Sequence, residues 1–179
     1  MKASWYEKNG PARDVLQVGT MDTPSPGPGE VRVRVQWAGI NPSDVKRRAG
    51  WNGQRIPFPR VIPQMDGSGV IDQVGAGVDP GRVGQRVWLH STGWKRPFGT
   101  AAEFAVTPEH RAVRLPDNVD LRVAASFGVP ALTAHRAVFG AGAVQGRTVL
   151  VTGGAGAVGF YAIQLARWGG ARVLATASG

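Results

Sequence analysis

Thr148-Val149-Leu150-Val151-Thr152-Gly153-Gly154-Ala155-Gly156-Ala157-Val158-Gly159 is the stretch that decides the fold. Its first five residues are strand formers, and the run from Ala157 to Trp168 suits a helix. Between them, Gly154 to Gly159 fits G-x-G-x-x-G. That pattern is weak by itself in a chain with 26 glycines. It gains meaning because it closes one strand and opens one helix. The first glycine permits the tight turn, the second lets backbone approach a pyrophosphate, and the third lets helix pack on strand. The helix start then offers free N–H groups and a positive dipole end to phosphates. Gly154, Ala155, Gly156, Ala157, Val158 and Gly159 are therefore the candidate dinucleotide-binding residues. A plain glycine turn in a βαβ unit is the bland alternative.

Working outward, the helix 157–168 leads into a second strand, Ala171–Thr176. Strand, helix and strand with short turns make a βαβ unit with parallel strands. Thr148 to Ala166 carries no charge and is long enough to suggest a membrane span, but its glycines break it into strand, turn and helix. The fingerprint expects an acidic residue about 20 positions on, for the ribose 2′-hydroxyl of NAD. Residues 160–179 contain no Asp or Glu, and the second strand runs into Thr176 and Ser178. Hydroxyls without a carboxylate suit a 2′-phosphate, so Thr176 and Ser178 join the cofactor candidates and NADPH is the expected cofactor. Arg172 stands too early in that strand to serve.

Upstream the pattern is different. Val31, Val33 and Val35 alternate with Arg32, Arg34 and Gln36 in a half-buried strand, Glu30 to Ile40, after a Pro/Gly-rich turn tract. Further strands are expected at 69–74, 86–90, 102–106 and 112–115. One short helix, Pro42 to Ala49, is bounded by an N-terminal proline and by Gly50. Two more helices are expected at 120–126 and 130–139. The chain thus divides into a barrel-like β domain, 1–118, and linking helices with a first βαβ unit, 119–179. The fold class is α/β overall.

Composition narrows the chemistry. At 179 residues and 42% hydrophobic content, the chain can bury a real core. With no cysteine, disulfides, thiolate metal sites and a cysteine nucleophile are excluded. The net charge is +9, but the cations are dispersed, and the single short cluster, Lys46-Arg47-Arg48, has no interleaved aromatics. That spread argues against nucleic acid as a partner. The N-terminus shows no charged-then-apolar signal pattern.

Seven ordered segments carry a family resemblance: Ala38-Gly39-Ile40-Asn41-Pro42-Ser43-Asp44, Pro63 to Ile71, Val74-Gly75-Ala76-Gly77-Val78, Gly84-Gln85-Arg86-Val87, Ala124-Ala125-Ser126, Leu132-Thr133-Ala134 and Val151 to Gly159. Together they resemble the medium-chain dehydrogenase/reductase superfamily, in its zinc-free NADPH:quinone oxidoreductase (zeta-crystallin-like) branch. The resemblance implies a GroES-like β-barrel domain followed by a Rossmann domain. It implies hydride transfer from NADPH to a small-molecule quinone or enone, in a cytoplasmic homodimer. It also implies that these residues are the N-terminal portion of such an enzyme, inactive alone. Where zinc-dependent relatives hold metal, this chain has Asn41, Met65 and Val129, so no metal is expected. Asn41 would lie beside nicotinamide and substrate, and Thr133 would bond the nicotinamide region. Asn41 before Pro42 also reads as a turn residue, and Thr133 as a helix residue bonding its own backbone. Lys46 stands where relatives often have a cofactor-contacting Tyr, and either holds a phosphate or faces solvent. Gln85 replaces a carboxylate the family usually has. Trp51, Trp88 and Trp94 read as a flat-substrate pocket or as packing, and His135 shares the helix of Thr133. An enoyl-thioester reductase is the enzymatic alternative, and a non-catalytic NADPH- or nucleic-acid-binding protein the alternative of another class.

Overall fold

The computed structural model describes residues 1–178. Its chain falls into two compact units, Met1–Gly128 and Val129–Gly179. The division lies further along than the 118/119 boundary suggested by composition. The reason is that the short helix α3 (Leu121–Ala124) packs on strands of the first unit. Ser68 in the sheet donates from its hydroxyl to the Leu121 carbonyl at 2.5 Å.

Three strands near the middle of the first unit are β3 (Glu30–Gly39), β4 (Asp66–Val74) and β5 (Arg86–Leu89), and two further strands are β6 (Phe104–Pro108) and β7 (Ala112–Arg114). They form one antiparallel sheet in the order β6-β3-β4-β5-β7. The expected alternation in β3 holds: Val31 and Val33 are fully buried and Arg32 and Arg34 are not. They pack with Ile71, Val87, Leu89, Ala105 and Ala112 in one core. Each such aliphatic side chain stabilises the fold by about 1.5–3 kcal/mol on burial. On the other face, Arg32 grips Asp72 with two parallel bonds, Nε to Oδ1 at 2.9 Å and Nη2 to Oδ2 at 3.0 Å. The β3–β4 register shifts twice, between Arg32 and Val33 and between Val35 and Trp37, the mark of bulges that bend the sheet.

Sequence patterning missed a second, two-stranded sheet: β1 (Lys2–Trp5) pairs antiparallel with β2 (Gln17–Thr20). A short helix, α1 (Ala12–Val15), joins them. The Trp5 ring lies across Gly19, where a Cβ would approach it to 2.8 Å. Helix α2 spans Pro42–Ala49 as expected, and Gly50 closes it at φ +77°, a left-handed conformation that glycine adopts without cost. Gln85 accepts from Arg82 Nε at 3.3 Å.

In the second unit, β8 (Thr148–Val151) and β9 (Arg172–Ala175) pair in parallel. The helix α5 (Ala157–Trp168) connects them, and α4 (Leu132–Phe139) packs against α5. Their core is Ala134, Val151 and Ala162, with Val149, Ile163 and Val173 around it. No helix among the described residues is long and apolar enough to cross a membrane.

Candidate functional site

In the first unit, the chemistry gathers at the start of α2. Asn41 caps the helix and is 7% exposed. Its backbone N–H donates to the Asp44 carboxylate at 2.9 Å, the reciprocal half of a capping box. Its side-chain amide donates from Nδ2 to Asp66 Oδ2 at 2.8 Å. Asp66 is fully buried at the first position of β4. A carboxylate accepts and cannot donate, so it fixes which end of the Asn41 amide faces it. The Asn41 side chain also accepts from the Asp44 backbone N–H, the other half of the capping box, and bonds the Asp44 carboxylate.

This pair is held rigidly. Gly39 and Gly128 wall in Asp66: a Cβ on Gly39 would come within 3.1 Å of the Asp66 Cβ, and one on Gly128 would collide with its carboxylate. Thr100 donates from its hydroxyl to the Asp66 carbonyl at 2.5 Å. Burial pushes the Asp44 carboxyl above its ordinary value, against the lowering pull of the Asn41 amide, Arg47 and the Gln64 amide. Spacing signalled Asp44, since an acid three residues after an N-cap is the capping-box signature. Nothing local signalled Asp66, which reaches Asn41 only through the sheet.

Lys46 is exposed on α2, with Nζ 4.5 Å over the ring of Trp51, itself 56% exposed. Met65 is buried beside Asp66. Among the described residues, no group of three or more His, Cys, Asp or Glu stands together as a metal site. Trp88 belongs to the packing, with ring contacts to His90 at 5.7 Å and to Phe127 at 5.9 Å.

In the second unit, the glycine turn closes β8 and opens α5. Gly153 donates to the Thr176 hydroxyl at 3.2 Å, and Gly154 donates to the Thr176 carbonyl at 2.7 Å. Thr176 thus anchors the turn from the end of β9. Gly154 and Gly159 are buried, while Ala155, Gly156, Ala157 and Val158 are exposed. A Cβ on Gly159 would collide with the Gly153 carbonyl and stand 2.8 Å from the Gly154 Cα, so the helix lies flush on the turn. Around Gly156 a Cβ would meet only the Gly153 carbonyl, at 3.3 Å, leaving open approach from outside. Among the described residues, no backbone carbonyl accepts from the amides of Ala157, Val158 or Gly159. Three free donors at a helix N-terminus above an open glycine make a cradle that fits a pyrophosphate.

Thr133 is exposed on α4 of this unit. His135, on the same helix, lies 5.1 Å from the ring of Phe139. Ser178 is exposed beyond β9.

A family model, the alcohol dehydrogenase GroES-like domain, matches residues 27–117. The chain belongs to that family. This GroES-like chain is 36% identical to the quinone oxidoreductase of Rattus norvegicus over 173 residues, which is 96% of this chain and 51% of the relative. It superimposes on an alcohol dehydrogenase superfamily protein from Novosphingobium aromaticivorans with a TM-score of 0.87 and 36% identity, covering 100% of this chain and 54% of that one. It matches mycobacterial Rv1454c, solved in complex with NADPH, with a TM-score of 0.83 and 31% identity, covering 100% and 52%. The GroES-like chain therefore spans about half the length of the relatives it matches. The expected resemblance and the α/β class with a GroES-like domain agree with these findings.

Proposed function

We propose that the chain serves an NADPH-dependent oxidoreductase that passes hydride to a quinone or an α,β-unsaturated carbonyl without zinc. The observation that carries this reading is the α5 cradle: free amides at Ala157, Val158 and Gly159 over the open Gly156. NADPH, when bound, supplies the hydride from its nicotinamide ring. The cradle residues Gly154 to Gly159 hold its pyrophosphate, and the positive helix end offsets the phosphate charge. Thr176 and Ser178, with no carboxylate in residues 160–178, admit a 2′-phosphate where an acid would repel it. Lys46 adds a cation for a phosphate, and Thr133 a hydroxyl for the nicotinamide amide.

Asn41 positions the acceptor. Asp66 and Asp44 together hold its amide in one orientation, so the acceptor meets a fixed polar group at the start of α2 and not a rotating one. A conjugated carbonyl spreads that charge, so positioning replaces a Lewis acid. The residue types Asn41 and Met65, in place of metal ligands, support the zinc-free reading. The NADPH complex of mycobacterial Rv1454c and the quinone oxidoreductase relative support the choice of cofactor and substrate class.

Titrating NADPH and NADH onto the chain by calorimetry tests the cofactor, with tighter binding of NADPH expected. Mixing the full-length protein with NADPH and a benzoquinone, and following loss of nicotinamide absorbance, tests the reaction. A rate with enoyl-CoA and none with quinones would move the assignment to an enoyl-thioester reductase.

A further inference from the structure

The first unit holds an open cleft of about 470 Å³ that includes neither Asn41 nor Asp66. It lies between the side of α2, the 54–58 segment and the 94–95 loop. Tyr6, Phe58 and Trp94 give it aromatic walls, and Arg47, Arg55 and Lys95 stand around it. Its size falls within the roughly 300–1,000 Å³ of small-molecule sites.

What marks it is that three cations line one cleft. Of the other arginines in this unit, Arg32, Arg60, Arg82, Arg86, Arg96 and Arg122 each form an ion pair with Asp or Glu, while among the described residues Arg34, Arg48, Arg111 and Arg114 form none. Among the described residues, Arg47, Arg55 and Lys95 have no carboxylate within ion-pair distance. The Arg47 guanidinium reaches only the Gly93 carbonyl, at 3.5 Å. Asp44, the acid that acts on Arg47 at longer range, is committed to the amides of Asn41 and Gln64. Three like charges in one cleft repel each other, and an anion bound between them relieves that repulsion. Arginine forks match the two oxygens of a carboxylate. Trp94 is 52% exposed, a large flat surface held open to solvent. Lys95, beside it, is held at φ +57°, unusual for a residue with a side chain.

We propose that this cleft binds a small aromatic carboxylate, its ring against Trp94 and Phe58 and its acid group among Arg47, Arg55 and Lys95. The site lies wholly within the first unit and needs neither NADPH nor hydride transfer, so it stands or falls apart from the proposed function.

The test is calorimetric titration of the full chain, without cofactor, with 2-naphthoate, its neutral methyl ester and 2-naphthyl phosphate. The acid is expected to bind about tenfold or more tighter than the ester, because a charge-assisted bond is lost in the ester. Arg55→Gln and Lys95→Gln, both on exposed side chains, are each expected to weaken naphthoate binding roughly fivefold or more, while leaving circular dichroism and NADPH affinity unchanged. Raising the salt is expected to weaken the acid and not the ester. Equal binding of acid and ester, no binding of the acid at millimolar concentration, or unchanged binding in both variants would overturn the proposal. Tighter binding of the phosphate than of the carboxylate would overturn the carboxylate assignment.

Discussion

Asn41→Ala removes the side chain that bonds both Asp66 and the first turn of α2, and predicts a measurable cost. The substitution keeps the backbone N–H that Asp44 accepts, so the helix retains that half of its capping box. It removes the Nδ2 donor that stands 2.8 Å from Asp66 Oδ2. Asp66 is fully buried, so solvent does not replace the lost bond. Leaving a buried acceptor without its donor costs about 1–3 kcal/mol. For a protein of this size each kcal/mol moves the melting temperature by about 2–4 °C, so the variant should melt roughly 2–12 °C below the parent. Thermal unfolding followed by far-ultraviolet circular dichroism at neutral pH reads this directly. Asn41→Asp sharpens the test, because it sets a second carboxylate against Asp66. Two acids at that distance cannot both stay ionised cheaply, so the pair takes up a proton more readily folded than unfolded. A folded-state pKa raised above the unfolded value gives stability that is present at low pH and lost as pH rises. Asn41→Asp should therefore be less stable than Asn41→Ala at neutral pH, with the gap narrowing on acidification. An Asn41→Ala variant that melts within about 1 °C of the parent, where about 2 °C is the least expected, would refute the idea that Asp66 orients Asn41.

Two further outcomes follow from the same geometry. Gly159→Ala drives a Cβ into the Gly153 carbonyl and the Gly154 Cα, so the turn must open. Overpacking of this kind costs about 1–3 kcal/mol, and NADPH affinity should fall about tenfold by calorimetry if the cradle holds the pyrophosphate. Asp44, raised by burial above its ordinary 3.8, favours the folded state at low pH and loses that contribution as pH rises through its folded value. Asp44→Asn cannot ionise, so the parent's melting temperature relative to this variant should be higher near pH 4 than near pH 7. A difference independent of pH would contradict the burial argument.

Much of this architecture was legible because it is local. Helix α2 runs from Pro42 to Ala49, as the proline at its start and Gly50 past its end require. Strand β3 shows its valines inward because an alternating pattern admits one buried face. The β1–β2 pair escaped notice because Lys2–Trp5 is too short to show a pattern, and its partner comes only after the 12–15 helix. Trp5 over Gly19 is a contact that no window of adjacent residues contains. Gln85, which stands where the resembled family usually has a carboxylate, accepts from Arg82 three residues before it, a contact within one turn of chain.

The sequence by itself determined the glycine turn. Strand, G-x-G-x-x-G and helix are contiguous, and sterics between neighbouring residues force the close approach of Gly159 to Gly153. Only the tertiary structure decided what Asn41 does. Its partner Asp66 lies 25 residues away and meets it because β4 returns alongside β3, from which α2 springs. The cation cleft arises in the same way, from segments near residues 6, 47, 55 and 95 brought together by the fold. Local pattern is set by short-range sterics and hydrophobic period, whereas a functional cluster depends on chain segments whose meeting is fixed by burial of the core between them.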